Sequence, residues 1–306
     1  MGYSDDALEL RNPRTIDLPR SGDRISFVHL DHCKIWQDDT GVLAKNEDGQ
    51  TIRLPSAGLS VLTLGNGVSI STPALATLHR SGCNVIVTTA GGVASVTTAR
   101  PLATRAKWAE AQARMWANRN HRLTAARTLY ADRFPDINWA AKGSLNAMRG
   151  VEGQRVKATY QHHAAEHDFK NWKRETRPHL QDDPVNPLLN LGNSILYAAA
   201  LTAVAAVSLN PALGIIHRGH TSALLFDLAD HHKTQATIPL AFACAEHPRP
   251  ERELRTLLRD YLHKNRILDL NLKLLDAVLG PHFEETDDVI IGDQFDVAGH
   301  TNYSIT

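Results

Sequence analysis

Between Gly214 and Lys233 the chain reads GIIHRGHTSALLFDLADHHK, which gathers His217, Asp227 and Asp230 within 14 positions. Thr221 and Ser222 have side chains that can cap a helix. The run Ala223, Leu224, Leu225, Phe226, Leu228 and Ala229 behind them predicts a helix with a buried face, which the two aspartates interrupt. Aspartates three apart on a helix stand on one side of it, about 60° apart around the axis. Two carboxylates that close repel each other unless a proton or a cation lies between them. A hard divalent ion suits these donors, since Mg²⁺ or Mn²⁺ takes carboxylate oxygen and Mn²⁺ also accepts an imidazole such as that of His217. The same spacing equally suits two solvated aspartates and a loop histidine, and periodicity alone does not separate the two.

A second stretch, LNAMRGVEGQRVKATY from Leu145 to Tyr160, sets Glu152 between Gly150 and Gly153 in an otherwise helical pattern. Glycine costs about 1 kcal/mol in a helix interior relative to alanine, so a pair flanking a carboxylate asks for a reason; close approach of another backbone or a ligand is one. Together, RGVEGQRVKATY and GIIHRGHTSALLFDLADHHK resemble the signature of the CRISPR-associated adaptation integrase family (Cas one), and the resemblance extends over most of the chain. It implies a Mg²⁺ or Mn²⁺ site in which Glu152, His217 and Asp230 are ligands and Asp227 is a fourth or outer carboxylate. It takes in Tyr197, whose equivalent approaches DNA in that family, and Lys233 just after the aspartates. Length and motif wording are most similar to the subtype I-E branch.

The elements that must position these residues follow from the pattern along the chain. From Arg24 to Thr98, short alternating runs (RISFVHL, CKIWQ, GVLAK, QTIRL, LSVLTL, NVIVTT, VASVTT) are separated by Gly- and Asp-rich turns, which predicts a small β-sandwich. One helix, Thr72 to Ser81, interrupts it, with Thr72 expected as cap and Pro73 at its start. Exposed strand edges make this domain a self-association surface, and the resemblance implies a homodimer built through it. Arg100-Pro101 is the expected hinge into helical periodicity. One long helix is predicted over Leu102 to Phe134, a second from a Ser144 cap to about His167, and a loop over Asp168 to Pro187 placed so that it could cover DNA. A buried helix follows over Leu188 to Leu209, and segments at Asp227 to Lys233, Ile238 to His247, Glu251 to His263 and Ile267 to Leu279 complete a bundle. The fold class is therefore α+β: a β-sandwich over 1–100, an all-α catalytic and DNA-binding domain over 101–283, and an acidic tail over 284–306.

The formal net charge is zero, so nucleic acid binding requires local basic surface. From Pro101 to Leu180 there are 15 Lys and Arg against 7 Asp and Glu. Arg149, Arg155 and Lys157 lie around Glu152 and, with Tyr197 and Lys233, are the candidate DNA contacts. The tail carries Glu284, Glu285, Asp287, Asp288, Asp293 and Asp296, which repel phosphate and suit a basic protein partner. The resemblance implies a small second adaptation protein (Cas two) bridging two dimers, with the tail as its clasp. Cys33, Cys83 and Cys244 have no paired spacing and read as buried thiols. The N-terminal MGYSDDALELRNPR has no apolar core, so no secretory signal is expected, and Leu188 to Leu209 carries Asn, Thr and Ser, so the chain is read as cytoplasmic with no membrane partner.

Other motifs compete. His163, Glu166 and His167 spell H-x-x-E-H, a zinc protease pattern, without a third ligand downstream, and His163 lies 11 residues, about 16 Å, along the helix from Glu152. His231 and His232 read as solvated in preference to extra ligands. No Walker or Rossmann glycine motif supports an ATP-driven or nicotinamide reaction. A divalent ion beside basic side chains suits displacement at a phosphodiester. Attack by a DNA 3′-hydroxyl conserves bond energy and attack by water gives a nuclease; the resemblance selects joining of short duplexes into a repeat array. A junction nuclease and a non-catalytic DNA scaffold are the alternatives.

Overall fold

The computed structural model describes residues 27–88, 94–98 and 106–284; the Arg100-Pro101 hinge and the acidic tail beyond Glu284 lie outside this range. The first part is two four-stranded sheets. In one, β1 (Val28–Leu30), β5 (Val61–Leu64) and β7 (Asn84–Thr88) run parallel and β8 (Ala94–Thr98) pairs antiparallel to β7. In the other, β2 (Cys33–Asp38), β3 (Gly41–Asn46) and β4 (Thr51–Leu54) form a meander, with β6 (Ser69–Ile70) parallel to β2. The two-residue strand β6 is absent from the pattern reading, being too short to show a period.

Alternation explains the packing. Cys33 and Ile35 of β2 and Val42 and Ala44 of β3 point inward to meet Leu62, Leu64 and Val85 of the other sheet, together with Ala74 and Leu78 of α1 (Thr72–Arg80). All four residues of β5 are buried, because the outer face of its sheet is covered too: Val61, Ile86 and Phe27 join the core of the helical part. The cap of α1 is Ser71, whose hydroxyl accepts from Ala74 N at 3.4 Å, and not Thr72 as the sequence suggested. Cys33, Cys83 and Cys244 are all buried, as expected.

After residue 106 the fold is helical. The single long helix expected to Phe134 is two, α2 (Lys107–Ala117) and α3 (Arg119–Arg133). Asn118 breaks it: its backbone is extended and its carboxamide oxygen accepts from Asn120 N and His121 N at 2.8 and 3.3 Å, capping α3. Helix α4 (Leu145–Glu166) starts as expected, with Ser144 Oγ accepting from Ala147 N at 3.2 Å. Helix α5 (Val185–Ala206) begins three residues before the expected Leu188, because Asp183 accepts from the Val185 and Asn186 amides at 2.9 Å each and so caps the first turn, where Pro187 is tolerated. It packs against α6 (Ala223–Lys233), α7 (Thr237–Cys244), α8 (Pro250–Lys264) and α9 (Ile267–Leu279). Among the described residues α5 alone is long and apolar enough to cross a membrane, and 61% of its most apolar window is buried in this fold.

Candidate active site

The site forms where the start of α6 meets the loop before it. Gly214 is the pivot: a Cβ there would fall 2.5 Å from the His217 carbonyl oxygen and 2.7 Å from the Ala223 Cβ, so only glycine lets the loop fold back on the helix. That fold aims three consecutive amides at Asp227. Its carboxylate, with no solvent exposure, accepts from Ile215 N at 2.5 Å, Ile216 N at 3.1 Å and His217 N at 2.9 Å. His217 Nδ1 donates to the same carboxylate at 2.8 Å, leaving the ring's Nε2 turned outward, 3.9 Å from Asp230 Oδ2. Burial pushes the Asp227 carboxyl upward against the pull of His217 and the loop amides. Burial acts to lower the His217 pKa, but the hydrogen bond and charge of Asp227, with the charges of Asp230 and Glu152, outweigh it and hold His217 above its ordinary value.

The two aspartates three apart thus have different surroundings. Asp227 ties the loop from inside, while Asp230, 16% exposed at its side chain, sits at the opening beside His217. Lys233 Nζ lies 2.6 Å from Asp230 Oδ1 and donates to Tyr197 Oη at 2.9 Å. Burial raises the Asp230 pKa, but Lys233 and Arg133 more than reverse this, so its carboxyl lies below the usual range. Burial acts to lower the Lys233 pKa, but Asp230 and Tyr197 together outweigh it and hold the ammonium above its ordinary value. Tyr197 also packs at a tilt against Phe226, with ring centroids 4.9 Å apart.

Glu152 reaches the same locality from α4, close enough for its charge to act on His217. Tyr130 Oη donates to Glu152 Oε2 at 2.6 Å, and Arg133 is paired with Oε1. Neither Tyr130 nor Arg133 was marked by sequence reasoning; the tyrosine and arginine stand about 20 positions upstream on another helix, and no spacing links them to Glu152. The close approach expected at Gly150 and Gly153 is not made by protein, since a Cβ at either meets nothing within 4 Å.

The candidate DNA contacts divide. Arg149 is exposed. Arg155 is engaged by both oxygens of Asp136 and lies over the Phe134 ring at 5.1 Å. Lys157 lines an open cavity of about 1160 Å³ between α4 and the 168–183 loop, shared with Tyr160, Lys170, Trp172, Lys173 and Arg174. That loop is fastened to α5 by Arg174, which donates to Asn186 Oδ1 at 2.9 Å and Asn190 Oδ1 at 2.6 Å.

His231 and His232 are buried, which corrects their reading as solvated. His231 lies between the carbonyls of Leu129 at 3.0 Å and Asp227 at 3.3 Å, and His232 contacts Asn271 Oδ1 at 3.2 Å, so they join α6 to α3 and α9. Burial lowers both, His232 to about 4. Among the described residues, one group of His and carboxylate donors lies wholly within 4.8 Å: His162, His163 and Glu166 at the far end of α4. His163 Nδ1 is 2.9 Å from Glu166, whereas His167 has left the helix and stacks on Phe242, so the H-x-x-E-H spelling does not converge.

The family model for CRISPR associated protein Cas1 matches residues 27–139 and 136–249, spanning both the sheets and the site. The chain belongs to the Cas1 family. A CRISPR-associated endonuclease Cas1 from Clostridium sp. (strain SY8519) is 32% identical over 230 residues, covering 74% of this chain and 76% of the relative. A solved structure described as a TtCas1-DNA complex superposes with a TM-score of 0.76 at 28% identity, covering 92% of this chain and all of that one. A casposase bound to integration product shares the Cas1 fold more distantly, with a TM-score of 0.68 at 15% identity, over 85% of this chain and 92% of its own. Cas1 relatives are named endonucleases, and the matches identify the family without dividing it into branches.

Proposed function

We propose that this chain is a metal-dependent DNA integrase of CRISPR adaptation, joining 3′-hydroxyl ends of short duplexes into a repeat array, nearest to the subtype I-E branch and acting in the cytoplasm. The observation that carries this reading is the presentation of His217: its Nδ1 is committed to buried Asp227, so its Nε2 is left 3.9 Å from Asp230, within reach of the charge of Glu152. Two carboxylates and an imidazole are donor types that suit Mg²⁺ or Mn²⁺; Glu152, His217 and Asp230 would be the ligands, drawn together by the ion, with Asp227 behind His217 as the orienting carboxylate. When bound, the ion supplies Lewis acidity toward a phosphodiester oxygen and lowers the pKa of an attacking hydroxyl.

The chain's own residues do the rest. Lys233, raised and held by Asp230 and Tyr197, keeps a positive charge at the opening, where negative charge accumulates on the phosphate. In the exchange the attacking 3′-hydroxyl gives up its proton as its oxygen bonds to phosphorus, the bond from phosphorus to the displaced 3′-oxygen breaks, and that oxygen takes up a proton. One phosphodiester replaces another, so no nucleotide triphosphate is needed. Gly150 and Gly153 leave the α4 surface beside Glu152 clear for a backbone, whereas the groove beyond it balances four Lys and Arg, Lys157 among them, with the four carboxylates of Asp168, Glu175, Asp182 and Asp183. The DNA contacts in this reading are Arg149, Arg155, Lys157, Tyr197 and Lys233, Arg155 exchanging its exposed pairing with Asp136 for a phosphate. The β-sheet domain makes the homodimer, and the acidic tail engages a basic Cas two partner.

One assay tests this. A 3′-hydroxyl duplex, a repeat-bearing plasmid and the partner protein are incubated with Mn²⁺ or chelator, using wild type, Glu152→Ala, Asp230→Ala and a chain ending at Glu284. Joining is expected only with metal, to vanish in both substitutions while duplex binding persists, and to weaken in the truncated chain along with partner affinity. Full joining by both alanine variants would sink the ligand assignment; cleavage of branched DNA without joining would make the chain a junction nuclease, and metal-independent behaviour a scaffold.

A further inference from the structure

Glu152 is gripped from α3 by two donors at once. Tyr130 and Arg133 stand three apart, on one side of that helix, and each takes one oxygen of the carboxylate. Both are enclosed: Tyr130 is 1% exposed and the Arg133 side chain 5%. Their own orientations are set by aromatic contacts. The Tyr130 ring stacks on Trp139 with centroids 4.7 Å apart and an 18° interplanar angle, and the Arg133 guanidinium lies 4.8 Å over the Phe134 ring. A glutamate on a helix has several rotamers of similar energy, and two directional bonds from a second, rigid helix select one.

We propose that Tyr130 and Arg133 are positioning residues that fix the Glu152 carboxylate for a divalent cation shared with His217 and Asp230. This rests on the ligand set proposed above. A carboxylate oxygen has about two lone-pair sites, so an oxygen that accepts from Tyr130 keeps one for a cation. The Arg133 charge acts on Asp230 as well as Glu152, which eases the repulsion between two carboxylates that must converge. Neither side chain is required to touch DNA. Their effect therefore falls on metal affinity, and duplex affinity measured in chelator is left alone.

Calorimetric titration of Mn²⁺ into full-length protein distinguishes the possibilities, with thermal melts verifying that each variant is folded. Tyr130→Phe deletes one hydroxyl from a ring that remains stacked, and Arg133→Lys keeps the charge but loses the planar fork. Both are expected to weaken Mn²⁺ binding, Tyr130→Phe by about 10-fold or more, as for other groups that orient metal ligands. Glu152→Ala serves as the reference. If it abolishes binding while Tyr130→Phe and Arg133→Lys retain wild-type affinity, the positioning role is overturned and the ligand set stands. Should Glu152→Ala itself bind Mn²⁺ normally, the ligand set fails and the positioning role with it. A Tyr130→Phe protein that does not fold leaves the decision to Arg133→Lys, in which unchanged affinity counts against the proposal.

Discussion

At the scale of single residues, Asp227 is the side chain on which the geometry depends most. It is buried, it collects three loop amides, and it fixes which nitrogen of His217 faces outward. Asp227→Asn keeps the shape but places an amide NH₂ where donors already point. Hydrogen bonds to a charged group contribute about 1.5–3 kcal/mol each, and not all survive, so a loss of about 3 kcal/mol in unfolding free energy is expected, with joining activity down at least about 10-fold. A denaturant titration and the joining assay together check this; wild-type stability would show that the carboxylate is not a tie. The sequence made the pair Asp227 and Asp230 legible as a pair but not its division of labour. Spacing places both on one side of α6, whereas what separates them is the loop that closes over Asp227, a tertiary contact with no periodic signal.

At the scale of elements, the glycines around the site play opposite parts. Gly214 has no room for a side chain, so Gly214→Ala must displace the loop from α6, and a loss of about 2–4 kcal/mol with reduced joining is expected. Gly153 has open space around it in the interior of α4. Gly153→Ala should stabilise the protein by about 0.5–1 kcal/mol in thermal melts, since alanine is the better helix former, while lowering joining if a strand lies along that face. A stabilised and fully active variant would remove DNA from that surface. Helix existence was readable from apolar periodicity, and Ile267 to Leu279 is observed with the boundaries expected. The break at Asn118 was not, because helical periodicity continues on both sides and the capping geometry lies in one residue's backbone. His231 and His232 were misread for a similar reason: they look solvated beside charged neighbours, but α3 and α9 pack over them.

At the scale of the whole molecule, the sheets and the helices meet through a face that sequence patterns could not pair. Phe27, just before β1, and Val61 and Ile86 of the first sheet enter the core that includes Leu191 and Ile195 of α5. At the edge of this contact His29 of β1 bonds Thr63 Oγ1 at 2.8 Å and Asp31 at 2.8 Å, lining a cavity of about 20 Å³ with Arg255 of α8. Its pKa is lowered, chiefly by burial and further by Arg255, while Asp31 and Glu251 act in the opposite direction. The folded protein therefore holds fewer protons than the unfolded chain once the pH drops below about 6.5, the ordinary histidine value. The stabilisation from keeping His29 neutral is complete above that pH and is lost as the pH falls through the folded value. Urea midpoints measured from pH 7.5 to 5.5 are expected to decline for wild type. His231 and His232 contribute with the same sign and the raised His217 with the opposite one, so His29→Gln isolates this junction: the gap between the wild-type and variant midpoints should narrow as the solution is acidified. Parallel curves over that range would assign the acid sensitivity to the helical core and leave the junction without a part in it.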